Sequence, residues 1–119
     1  MKRLLLVDDE ESIQVVYKEE FEDEGYHVTG CLEGLEALER FKQEKPDLVI
    51  LDIQMPDING VEVLRQMKMI DPSVPVILSS AYPEYKRDLG TWASDDYVVK
   101  SGNLDDLKQA VKSLLEKKD

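Results

Sequence analysis

The 119-residue chain has one cysteine, one histidine and one tryptophan, and it lacks any long apolar run. Cys31, standing alone, cannot form an intramolecular disulfide, which fits a reducing cytosol; it reads as a small apolar filler. A single histidine, His27, excludes a histidine metal cluster and leaves a Ser-His-Asp triad on one chain without support, so it reads as an ornament on a strand. Neither G-x-x-x-x-G-K-[ST] nor G-x-G-x-x-G occurs, which removes the usual nucleotide-phosphate cradles, and ATP is not the expected donor. The apolar run at residues 4–7 is interrupted by Asp8, far short of a signal-peptide core or a membrane span, so a soluble, cytoplasmic protein is expected. Basic residues are also scarce, with 15 against 26 acidic ones and a formal charge of -11. Such a field repels phosphate backbones and anionic membranes and favours basic partners or bound cations, besides serving solubility.

What the chain does have is a hydrophobic fraction of 42%, ordinary for a globular protein. Its length suits one unit over 1–119 with a single core and leaves no room for a second. Short apolar runs at 4–7, 48–51 and 76–78, with weaker ones at 26–31 and 97–99, predict buried strands. Between them, spacings of three and four predict amphipathic helices: Ile13, Val16, Tyr17 and Phe21; Leu35, Leu38 and Phe41; Val61, Leu64 and Met67; Leu104, Leu107, Val111, Leu114 and Leu115. Asn103 is the expected N-cap of the last helix, with Asp105 and Asp106 in its first turn and Lys117 and Lys118 near its end, matching the macrodipole. A short helix over 84–89 is confined by Pro83 and Gly90. Met55, Met67 and Met69 read as core and loop filling. Strands alternating with helices make an α/β protein with a parallel five-stranded sheet covered on both faces.

In an open parallel sheet the ligand crevice lies beyond the carboxyl ends of the strands, where the winding reverses. Asp8 and Asp9 follow the first strand, Asp52 ends the third, Ser79 and Ser80 end the fourth and Lys100 ends the fifth. In the order 2-1-3-4-5 the switch point falls between strands one and three, so the three aspartates converge. Carboxylates about 4 Å apart repel by roughly 4 kcal/mol at an effective dielectric near 20, a conflict that a divalent cation resolves. Oxygen ligands without histidine or thiolate favour Mg²⁺, with Mn²⁺ as a substitute. Lys100 and Ser80 can grip the non-bridging oxygens of a phosphoryl group, and a carboxylate is then the nucleophile. Asp52, central among the three, is the best candidate, leaving Asp8 and Asp9 to hold the metal. A lone Asp after a strand is more often a turn or cap residue; the joint occurrence at four strand ends favours the chemical reading.

The stretches Leu6-Val7-Asp8-Asp9-Glu10, Leu51-Asp52-Ile53-Gln54-Met55-Pro56 with Gly60, Ser79-Ser80-Ala81 and Asp96-Tyr97-Val98-Val99-Lys100 occur in one order and at one spacing. Together they make the chain resemble a response-regulator receiver domain of two-component signalling, over nearly its whole length. The resemblance implies a flavodoxin-like, doubly wound (βα)5 three-layer sandwich. It also implies that Asp52 takes a phosphoryl group from the phosphohistidine of a sensor kinase. Asp8, Asp9, Asp52 and the Gln54 main-chain carbonyl would surround Mg²⁺, with Asp9 a direct ligand. By the same likeness Lys100 pairs with the phosphoryl group, Ser80 moves toward it, and Tyr97 swings inward as Ser80 moves, changing the surface around strands four and five. The plainer reading of Tyr97 is an aromatic packed on a strand.

Some positions depart from the family's commonest pattern. Ser101 follows Lys100 where a cis proline is usual, and a non-proline cis bond costs about 2.5 to 4 kcal/mol. Gln54 and Tyr82 resemble the variable positions that flank the path of attacking water, and Tyr82 is bulky enough to shield it. Trp92, Ala93 and Ser94 replace a small Gly-containing turn, and local packing is the expected role of Trp92. Two rival functions stand beside the receiver. A haloacid-dehalogenase-type phosphatase also uses an aspartyl nucleophile, but it wants a second Asp two residues on, where Gln54 cannot exchange a proton. A receiver-like module that signals without phosphorylation would not need the complete aspartate, serine and lysine set. The expectation is a regulator rather than a conventional enzyme, a monomer or weak dimer. Its partners would be a sensor histidine kinase and a downstream protein or phosphorelay component, with no nucleic acid or membrane contacted directly.

Overall fold

The computed structural model describes residues 1–80, 95–100 and 104–118. Five strands, β1 (Arg3–Val7), β2 (His27–Cys31), β3 (Leu48–Asp52), β4 (Val76–Ser80) and β5 (Asp96–Val99), form one sheet in the order β2-β1-β3-β4-β5, and every neighbouring pair is parallel. The four helices among the described residues are α1 (Glu11–Asp23), α2 (Gly34–Glu44), α3 (Gly60–Ile70) and α4 (Asp105–Lys118). This is the flavodoxin-like arrangement that the alternation of elements anticipates. The expectations at 84–89, Tyr82, Trp92, Ala93, Ser94, Ser101 and Asn103, and the geometry of the Lys100–Ser101 bond, lie outside the described residues.

Alternation along each strand divides the core in two. Leu5, Val7, Val49, Leu51, Val76 and Leu78 pack with α2 and α3, while Leu4, Leu6, Leu48, Ile50 and Ile77 pack with α1 and α4. The central strands β3 and β4 are buried along their whole length, which is why they read as continuous apolar runs. The edge strands β2 and β5 are only partly buried, with His27, Gly30, Asp96 and Val99 exposed, and their weaker patterns follow from that place.

Three assignments to the core are corrected by the packing. Val16 is 52% exposed, Leu35 56% and Met69 71%. On α1 the buried stripe is carried by Tyr17 and Phe21, with Ile13 packed at its margin, so Val16 lies a turn's edge away from the sheet. Leu35 stands in the first turn of α2 beside the buried stripe of Gly34, Ala37, Leu38 and Phe41, and Met69 in the last turn of α3 beside that of Gly60, Val63, Leu64 and Met67. His27 is exposed on β2 and Cys31 is buried, as expected; burial, aided by Glu36, pushes the Cys31 thiol up to about 12.

Candidate functional site

The carboxyl ends of the strands bring together residues that lie far apart in sequence. Asp8 follows β1, and its N–H donates to Cys31 O at 3.0 Å, carrying the β1–β2 ladder one residue further. Asp52 is the last residue of β3, and Ser79 and Ser80 close β4. Lys100 follows β5, with its N–H donating to Ser80 O at 2.7 Å. The Lys100 ammonium lies 2.6 Å from Asp8 Oδ2 and 3.4 Å from Asp52 Oδ2. Asp8 and Asp52 are only 2% and 6% exposed, whereas Asp9 faces solvent; one carboxylate oxygen from each of the three lies within 4.8 Å of the others.

Burying like charges this close perturbs them. Asp52 is pushed up to about 6, chiefly because burial penalises its charged form and further because Asp8 repels it. The Lys100 charge and the Gln54 N–H, 3.4 Å from Asp52 Oδ1, act in the opposite sense. For Lys100 burial opposes the charge, but the hydrogen bond to Asp8 and the charges of Asp52 and Asp8 prevail, and its pKa is raised. Three hard oxygen donors, two of them nearly dry and one open to solvent, suit a small divalent cation that keeps part of its water shell. The donor set therefore fits Mg²⁺.

The surrounding backbone holds these groups in place. Asp8 Oδ1 accepts from Glu10 N–H at 3.0 Å, so both its carboxylate oxygens are engaged. The loop after β3 turns back so that Gly60 N–H donates to Ile53 O at 2.7 Å, and a Cβ at Gly60 would overlap the Asp52 carbonyl and Ile53. Asn59 caps α3 by accepting from Val61 N–H at 2.7 Å. In the ladder, Asp52 stands opposite Ser79; Ser80 is one residue nearer the edge and tied to Lys100 through the main chain. Tyr97 pairs with Leu78 and is 9% exposed, turned into the core on the α2 and α3 side. Gln54 is exposed, and the contact it makes with Asp52 is through its N–H.

Two supporting residues had no signal in the sequence that singled them out. The carboxylate of Asp57, in the loop after β3, accepts from Gly34 N–H at 3.0 Å and Leu35 N–H at 2.9 Å, capping α2 from outside it. Burial, the largest single influence, pushes the other way, but those bonds together with the Asp57 and Ile58 N–H groups outweigh it and lower the Asp57 pKa. Gln14 of α1 reaches three main-chain carbonyls around Asp8. The recoverable hint was a polar residue beside the apolar stripe of α1.

A doubly wound parallel sheet with an acidic cluster and a lysine at its switch point defines a class of phosphoryl-handling α/β proteins. The chain belongs to the response regulator receiver domain family, whose sequence model matches residues 4–112. It is 35% identical over 119 residues to sporulation initiation phosphotransferase F of Bacillus subtilis (strain 168), covering 96% of this chain and 94% of that one. It is also 35% identical over 118 residues to the alkaline phosphatase synthesis transcriptional regulatory protein PhoP of the same organism, covering 98% of this chain but 49% of PhoP. Among solved structures, the response regulator TrrA of Thermotoga maritima in complex with Mg²⁺-BeF superposes with a TM-score of 0.93 at 48% identity, covering 96% of this chain and 99% of TrrA. A further similar structure, with a TM-score of 0.92 at 48% identity, covers 97% of this chain and 99% of the matched one and holds the histidine kinase ThkA together with TrrA. Among the described residues no helix is long and apolar enough to cross a membrane.

Proposed function

We propose that residues 1–119 act as one phosphorylation-controlled receiver, with Asp52 accepting a phosphoryl group from the phosphohistidine of a sensor kinase. The observation that carries this reading is the convergence of Asp8, Asp9 and Asp52 on one point, with the Lys100 ammonium against the two buried carboxylates. A bound Mg²⁺ would supply positive charge against the phosphoryl oxygens, with Asp8, Asp9, Asp52 and the Gln54 main-chain carbonyl as its protein ligands; Mn²⁺ has the same ligand preferences.

In the transfer one Asp52 carboxylate oxygen forms a bond to phosphorus as the P–N bond to the donor imidazole breaks. The imidazole leaves with the electron pair and takes a proton from solvent. Asp52 must be ionised to attack, and Lys100 favours that form. The phosphoryl group extends the Asp52 side chain past the end of β3, level with the position one residue beyond Ser79. Ser80 occupies that position, and its main-chain tie to Lys100 brings a hydroxyl and an ammonium to the same oxygens. Tyr97 and Ser80 alternate to the same face of neighbouring strands, which supports a switch in which movement of Ser80 repacks Tyr97 and alters the β4–β5 surface. The complex of TrrA with ThkA supports a histidine kinase as partner, and a downstream protein or relay component reads the altered surface. The site acts in the cytoplasm on a monomer or weak dimer.

Intact mass after treatment with acetyl phosphate and Mg²⁺ tests the assignment. The expected adduct is one phosphoryl group, absent in Asp52→Asn and in protein treated with a chelator. A full adduct on Asp52→Asn would overturn it.

A further inference from the structure

We propose that Gln14 is a positioning residue of the metal site, clamping the main chain that presents Asp8 and Asp9; this rests on the reading of the site as one that binds Mg²⁺. Gln14 lies in the first turn of α1, and its carboxamide nitrogen is 2.8 Å from Cys31 O, 3.0 Å from Asp8 O and 3.2 Å from Leu6 O. Three carbonyls require the nitrogen to face them, and its two hydrogens are spread over three acceptors. Cys31 O also receives the Asp8 N–H, so the peptide groups on both sides of Asp8 are anchored to the same point on β2. The Asp8 carbonyl belongs to the planar peptide that leads to Asp9. Fixing that oxygen fixes the plane from which the Asp9 side chain departs, and Asp9 is the one carboxylate of the three that solvent surrounds.

Gly30 supplies an independent observation. It sits on edge strand β2, where glycine is a poor strand former, and its φ is not positive, so the backbone does not demand it. A Cβ there would overlap the Gln14 carboxamide oxygen. The missing side chain at position 30 is the space in which the clamp lies.

The test measures Mg²⁺ binding by titration calorimetry on the complete chain, beside urea unfolding in chelator, for wild type, Gln14→Met, Gly30→Ala, the double variant and Val111→Ala. Methionine keeps the length of glutamine without its donors, and Val111→Ala destabilises the same face of the sheet remote from the clamp. Loss of an outer partner of a metal ligand weakens affinity by about 10- to 100-fold. Gln14→Met and Gly30→Ala are each expected to weaken Mg²⁺ binding about 10-fold under conditions where they remain folded. The double variant should be no weaker than either, because both remove one clamp. Val111→Ala should lose stability and keep its affinity. Mg²⁺ affinity within twofold of wild type in a folded Gln14→Met or Gly30→Ala protein would overturn the proposal, as would independent, multiplying losses in the double. Absence of Mg²⁺ binding by wild type would instead overturn the reading of the site, and the proposal with it.

Discussion

Replacing Asp52 by Asn removes a buried charge and almost no volume, so its effect on stability should depend on pH in a way the site itself determines. Burial raises the Asp52 pKa from 3.8 to about 6. A carboxyl raised in the folded state stabilises the fold most when protonated, below its unfolded pKa, and that contribution disappears as pH rises through the folded value. Linkage between these two values gives a loss of about 2 kcal/mol by pH 5 and about 3 kcal/mol by pH 7, relative to strongly acidic solution. Asparagine has no such loss, and Lys100 keeps Asp8 as its partner. The stability of Asp52→Asn relative to wild type should therefore climb by about 3 kcal/mol between pH 3.5 and pH 7. For a chain of this length that corresponds to a melting-temperature gap that widens by roughly 10 °C. Urea unfolding of both proteins in chelator across that range reads the difference, because titrating groups remote from Asp52 are common to the two proteins and cancel to first order. Added Mg²⁺ should shrink the gap at pH 7 by stabilising wild type more. A gap that stays flat with pH would refute the argument, since it would mean that Lys100 already compensates the buried charge in full.

Lys100→Met leaves Asp8 and Asp52 facing each other without their cation, and breaking a buried pair in this way costs about 3 to 5 kcal/mol; unfolding in chelator at pH 7 should show a loss of that order, less at pH 4. Gly60→Ala forces a Cβ into the Asp52 carbonyl and Ile53, and overpacking of this kind costs about 1 to 3 kcal/mol, read from the urea midpoint. Asp57→Ala removes both cap bonds from the start of α2 and should cost about 1 kcal/mol at pH 7. The Asp57 pKa is lowered, so its contribution is present above the unfolded value of 3.8 and is lost as pH falls through the folded one; the difference from wild type should vanish in strong acid.

The fold was legible because its two central strands are buried on both faces and leave unbroken apolar runs, while the helices between them keep a spacing of three and four. The parts misread were apolar residues beside a buried helical stripe rather than on it, such as Val16 and Leu35. Of the site, the titratable groups could be found because strand ends in a parallel sheet lead to one crevice. Asp8, Asp52 and Lys100 announce themselves by being charged residues next to apolar runs. What stayed hidden was the apparatus that holds them. Asp57 reads as one more loop aspartate until the fold shows that its acceptors serve a different helix, and Gly30 reads as an ordinary weak point of a strand.

That division has a physical origin that bears on how the site is tuned. A charge beside a strand is a local property of the chain, whereas a clamp such as Gln14 over Gly30 exists only between elements. The carboxylates decide which chemistry is possible. The residues that meet across α1, β1 and β2 decide how closely those carboxylates are held together before a cation arrives. Two chains with the same aspartates, lysine and serine can therefore differ in metal affinity through positions that touch neither the metal nor the phosphoryl group. In this chain Gln14 and Gly30 are where such a difference would be set.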